Sequence, residues 1–285
     1  MEKVNKKIEL SQKKKGSEIL NETYHLLSSN PILVLKLIAW GMVPLILLSF
    51  TMWFSPSVQQ YALSLVEGNP IYSTTASMGT VIAFGIGIFL FIIYLEVVPF
   101  SFLKCYLKQQ EESTIFTTNQ MLHQAWEDTA RYLPLEILIC IIAILTSLIF
   151  PYTLILLFLV QASFLTQRGS YWKAIKEGFT LGTLYWARSF VAALLIALIL
   201  YVVILIFSLP YYISSYAYIN ATLSAWEGNE AILPGYFNVI FFFFAILLQL
   251  AIAICSFFFY TALALYFFNL QARRKEKLLQ KKMED

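Results

Sequence analysis

Charged side chains are scarce in this sequence. Asp, Glu, Lys and Arg make up 13% of its 285 residues, where a soluble globular domain carries about 25%. That shortage excludes an ordinary water-soluble fold. Histidine is nearly missing: His25 and His123 are the two in the chain, so a His-rich metal centre cannot be assembled. Cysteine is limited to Cys105, Cys140 and Cys255, each inside or at the edge of an apolar run, which implies no disulfide framework. There is no H-E-x-x-H, G-x-S-x-G, Walker loop, dinucleotide fingerprint, Cys cluster or Asp-rich head-group-transferase motif. Membrane enzymes of the common classes need several such groups near the interface, so the expectation is a chain that is not an enzyme and takes no cofactor.

What the sequence has instead is apolar residues, 59% of the total, in runs near the ~20 residues that cross a hydrocarbon core. Runs bounded by charge or turn signals lie at 32–54, 78–102, 133–149, 152–167, 187–209 and 236–268. The first has no small-residue cleavage pattern behind it and reads as a retained span rather than a signal peptide. The third and fourth are short and meet at Phe150-Pro151. Proline breaks a helix at its own position, which favours a hairpin there over one long kinked segment.

The distribution of positive charge orients the spans. The connections 55–77 and 210–235 contain no Lys or Arg, whereas basic residues cluster before span one, between spans two and three and spans four and five, and after span six. The positive-inside rule then places both termini in the cytoplasm. The expected architecture is an all-α, polytopic transmembrane bundle of six spans in a bacterial inner membrane. It divides into a basic cytoplasmic segment with an interfacial helix at 1–31, a transmembrane domain at 32–268 and a charged cytoplasmic tail at 269–285. The net charge of +3 sits beside the spans, which suits anionic headgroups. The lipid bilayer is therefore the expected partner, with other membrane or cytoplasmic proteins as a further class and nucleic acid excluded.

Three cytoplasmic stretches share a pattern of apolar or small residues at offsets 0, 1, 4, 5 and 8, one stripe of an amphipathic helix. They are Ile19, Leu20, Thr23, Tyr24 and Leu27; Met121, Leu122, Ala125, Trp126 and Thr129; and Ala174, Ile175, Gly178, Phe179 and Gly182. The fourth position is aromatic each time, and Tyr24, Trp126 and Phe179 are expected to anchor interfacial helices at the headgroup level. Ser17, Thr117 with Gln120, and Ser170 supply start signals. Asn119, Gln120, His123, Gln124, Glu127, Asp128 and Arg131 form the polar face expected of the second helix. The repeating unit is an interfacial helix followed by a two-helix hairpin, opened by Pro31, by Pro134 and by Trp186-Ala187.

Ionisable residues inside spans are costly and are functional candidates for that reason. They are Lys36, Glu96 and Glu136. Lys36 and Glu96 lie at matching depth, roughly 6–9 Å from the cytoplasmic ends at 1.5 Å per residue. They form either a structural ion pair with a snorkelling lysine or a gate, with Arg131 and Arg188 lining its mouth. Gly79, Ala83 and Gly87, at four-residue spacing, read as a helix-packing face.

The lead-in GSEILNETYHLLSSNPILVLKL and the third unit SYWKAIKEGFTLGTLYWARSFVAALLIALI resemble bacterial six-helix membrane proteins related to the membrane domain fused to some glycerophosphodiester phosphodiesterases. In such fusions the activity belongs to a separate soluble barrel of roughly 250 residues, so the resemblance implies a membrane module alone. The functional expectation is a non-enzymatic scaffold or subunit of an envelope complex; the alternative is a transporter or channel with an inner-leaflet charged site.

Overall fold

The computed structural model describes residues 14–53, 75–112, 117–146, 150–166, 170–226 and 237–284. Among the described residues the chain is entirely helical. The elements are α1 (Gly16–Ser29), α2 (Pro31–Trp53), α3 (Thr75–Glu112), α4 (Thr118–Leu145), α5 (Phe150–Thr166), α6 (Tyr171–Trp226) and α7 (Phe237–Glu284). Three stretches, Gly85–Gln110 in α3, Tyr171–Ala217 in α6 and Val239–Gln280 in α7, are long and apolar enough to cross a membrane. The chain is thus a helical, membrane-embedded protein.

Start signals act where the sequence places two of them. Thr117 and Gln120 form a reciprocal box: the Gln120 amide N–H donates to Thr117 Oγ1 at 3.3 Å and the Thr117 amide N–H to Gln120 Oε1 at 2.9 Å. At α6 the Lys173 amide reaches Ser170 Oγ at 3.4 Å. At α1 the helix opens at Gly16 and not after Ser17, because the Glu18 carboxylate accepts from the Lys15 amide at 2.9 Å and satisfies an orphan donor.

The three lead-ins join their spans differently. The axis turns by 85° between Gly16–Ser29 and Pro31–Val43, at Asn30, whose side chain donates back to the Leu26 carbonyl. In α6 the join is a kink: Tyr185 leaves helical geometry at φ −126°, ψ 22°, one residue before the boundary expected at Trp186-Ala187. In α4 the helix runs on through Pro134. Helix α6 also continues through Pro210 to Trp226, and α7 from Phe237 to Glu284. The expected loop at 210–235 therefore begins as helix, and the expected boundary at 268/269 falls inside one. Residues 1–13, 54–74 and 147–149, on which the first cytoplasmic segment, the first Lys-free connection and the junction of spans three and four are expected, lie outside the described residues.

The core lies where α3 passes through the bundle. From Ile93 to Tyr106 almost every α3 side chain is buried, including Tyr94, Phe100, Phe102 and Leu103, so this stretch is surrounded by protein. Helices α2, α4, α5 and α7 supply its neighbours. Gly41 of α2 lies against the Tyr94 ring, whose hydroxyl donates to the Leu37 carbonyl at 2.7 Å. On the other side Gly178 and Gly182 of α6 lie against the Val160 backbone and the Leu156 side chain of α5. Among the described glycines, these three are where another helix comes within contact distance. On α3 Gly87 is half-buried and Gly85 meets open space, while the surroundings of Gly79 and Ala83 lie outside the described side chains.

The repeated stripe keeps its register. Ile19 and Thr23, Met121, Ala125 and Thr129, and Ala174, Gly178 and Gly182 are all buried. Tyr24, Trp126 and Phe179 are exposed by 61%, 51% and 40%. In all three units the small or apolar offsets pack inward and the aromatic points out.

Candidate functional site

Glu96 on α3 and Glu136 on α4 line one cavity of about 190 Å³, with Gln161, Thr153 and Phe158 of α5 and Cys140 of α4. Glu136 is buried, and Glu96 is partly so. The Tyr260 hydroxyl of α7 donates to Glu96 Oε1 at 2.7 Å, and the Gln161 amide donates to Oε2 at 2.9 Å. Glu136 accepts from the Tyr132 hydroxyl, one helical turn earlier, and the Cys140 thiol, one turn later, lies 3.6 Å from its other oxygen. Four helices thus contribute to one polar cluster inside an apolar bundle.

Tyr132 and Tyr260 each present a hydroxyl to a carboxylate oxygen, so both acids keep a donor when charged. Among the described residues neither acid has a Lys or Arg partner. Two carboxylates facing one apolar cavity repel each other, and a proton or a bound cation relieves that repulsion. No group of three or more His, Cys, Asp or Glu placed to hold a metal occurs among the described residues. A carboxylate pair of this kind can exchange a proton or take up positive charge.

The structure does not bring Lys36 and Glu96 together. Val34, Leu37, Ile38 and Met42 form the buried face of α2, and Lys36 lies exposed on the other side. Equal depth along two helices carries no information about their rotation. Glu96 turns instead to Glu136. Arg131 and Arg188 line no common mouth: the Arg131 guanidinium sits 5.5 Å from the centre of the Phe164 ring, while Arg188 belongs to a separate cavity with Arg273.

Asp128 is a second correction. It does not belong to the polar face of α4 but is buried at 5% exposure, accepting from Ser101 Oγ at 2.8 Å and pairing with Lys104 Nζ at 2.9 Å on α3. The reason lies in the period: seven residues are nearly two turns, which puts Asp128 directly above Met121 on the inward stripe. The sequence reading missed Tyr132, Gln161 and Tyr260. A signal existed for two of them, since Tyr132 stands four residues before Glu136 and Gln161 is the lone amide in α5. Tyr260, in an aromatic-rich stretch, had none. Cys105, Cys140 and Cys255 form no disulfide among the described residues. Compared with known proteins, the chain matches no family model, no curated protein and no solved structure.

Proposed function

We propose that this chain is a multi-pass inner-membrane transport protein of bacteria in which Glu96 and Glu136 form a proton-loading site. The observation that carries this reading is the pair itself: two acids on adjacent helices, sharing one cavity without a basic partner among the described residues. Such a pair is costly to keep in a membrane, and its cost is offset if loading and unloading a proton or a cation drives movement of a solute. In this reading α2, α3, the second half of α4, α5, α6 and α7 are the six spans, both termini are cytoplasmic, α1 and the first turns of α4 and α6 lie in the headgroup layer, and no covalent chemistry is performed. The resemblance to phosphodiesterase-linked membrane modules extends here to architecture alone.

The test is proteoliposomes loaded with a pH-sensitive dye and screened against pools of small solutes. A solute-driven pH change that disappears in Glu96→Gln and Glu136→Gln but persists in Lys36→Ala supports the reading. A response unchanged by both glutamate substitutions overturns it.

A scaffold role is the second reading, favoured by a different observation. Helix α7 continues as Arg273, Arg274, Lys275 and Lys277 to Glu284, a charged extension able to present itself to another protein. Recovery of one stoichiometric partner that is lost on truncation after Gln271, together with silence in the dye assay, would favour it.

A further inference from the structure

A second cavity, of about 610 Å³, opens where α6 kinks against α7, within the ~300–1,000 Å³ of small-molecule sites. Its lining includes Arg188, Arg273 and Lys277, with Tyr185, Trp186 and Gln280, and no carboxylate is among the lining residues. Three cations held together without an acid form a field that calls for an anion.

Three donors on the residues that line it have no protein partner among the described residues. Arg273 spends one terminal nitrogen on the Lys14 carbonyl at 2.9 Å, which fixes the guanidinium. Its Nε, the Trp186 indole Nε1 and the Tyr185 hydroxyl are buried and have no hydrogen-bond partner among the described residues. Tyr185 itself is 92% buried, being 8% exposed, and Lys277 Nζ stands 5.4 Å from the centre of its ring. Buried donors of this kind are ordinarily satisfied. The departure of Tyr185 from helical geometry turns Tyr185 and Trp186 into the cavity that Arg273 and Lys277 face from α7.

We infer that this kink is a binding site for a phosphate-bearing anion, held by Arg188, Arg273 and Lys277 with Trp186 Nε1 and the Tyr185 hydroxyl as neutral donors. Arginine forks and an indole N–H suit phosphate oxygens. The same chemistry is offered by the headgroup of an anionic phospholipid and by a soluble phosphate, and the experiment separates the two.

Full-length protein in a neutral detergent is titrated with phosphatidylglycerol, phosphatidylcholine or inorganic phosphate and read by native mass spectrometry. One phosphatidylglycerol is expected to bind about tenfold more tightly than phosphatidylcholine. The preference is lost in the triple variant Arg188→Ala, Arg273→Ala, Lys277→Ala and kept in a charge-matched control, Lys173→Ala, Lys176→Ala, Lys275→Ala. Should the triple variant not fold, Lys277→Gln at an exposed side chain and Trp186→Phe, which leaves every charge in place, supply the reading. Each is expected to weaken binding by about threefold. Displacement of the lipid by millimolar phosphate assigns the site to soluble phosphate, and resistance to it assigns the site to the headgroup. No preference in the unaltered protein, or one lost equally in the control, overturns the site.

Discussion

Gly178 shows how much depends on one missing methyl group. A side chain there meets the backbone of Val160, which cannot rotate away, so the α5–α6 contact opens instead. Overpacking of this kind costs about 1–3 kcal/mol, against the ~1 kcal/mol an Ala gains over Gly inside a helix. Gly178→Ala is therefore expected to lower the melting temperature in detergent. Gly85→Ala, where a Cβ meets nothing within 4 Å, is expected to leave it unchanged or raise it. Equal effects at the two positions would remove the close-approach argument. Asp128 obeys the same logic in charge rather than volume. Replacing it by Ala leaves the Lys104 ammonium, itself only 20% exposed, without the carboxylate 2.9 Å away. Breaking a buried pair costs about 3–5 kcal/mol, less where water reaches one partner. Asp128→Ala should destabilise strongly, and the double replacement Lys104→Met, Asp128→Leu should recover most of the loss; a double variant as unstable as the single one refutes this.

At the scale of helices, the amino end of α1 is tied to α7 through the backbone of Lys14. Its amide donates to Asn269 Oδ1 at 2.9 Å, and its carbonyl accepts from Asn269 Nδ2 at 3.2 Å and from Arg273 at 2.9 Å. Asn269→Ala removes two of these three contacts. Faster hydrogen exchange in α1, with α7 itself unaffected, is the expected result, since short helices owe their order to tertiary contacts; unchanged exchange in α1 would show the tie to be incidental. Periodicity made much of this legible beforehand. The three amphipathic stripes, the Thr117-Gln120 box and the near position of the α6 kink all rest on local signals, which operate within a turn or two of chain. The contact of Glu96 with Glu136, Gln161 and Tyr260 depends on how four helices are rotated about their axes. Rotation is set by packing against residues far away in sequence, such as Gly41 on Tyr94 and Gly178 on Val160. Apolar composition on every side of α3 conceals it, so Lys36 was matched to Glu96 by depth when its rotation faces it away.

For the whole molecule, the distribution of features along the bundle bears on orientation. The Lys104–Asp128 pair, the Lys14 tie and the Arg188–Arg273–Lys277 cavity all involve the basic segments, while 55–77 and 210–235 carry no Lys or Arg. An excess of Lys and Arg near span ends is retained on the cytoplasmic side. Reporter fusions at Gln109, within Lys104–Glu112 of α3, and after Glu284 are therefore expected to read as cytoplasmic, and fusions after Tyr61 and after Trp226 as exterior. The fusion after Trp226 is the most discriminating. Helix α6 is 56 residues long, about 84 Å at 1.5 Å per residue, far more than the ~30 Å of a hydrocarbon core. Counted from Tyr185 alone, the helix still outruns the bilayer, so its end near Trp226 should stand clear of the far headgroups and a fusion there should be fully accessible. A cytoplasmic signal after Trp226 would mean either that the chain crosses an even number of times before that point, as when α6 lies flat, or that its amino end is outside and the positive clusters do not set the orientation.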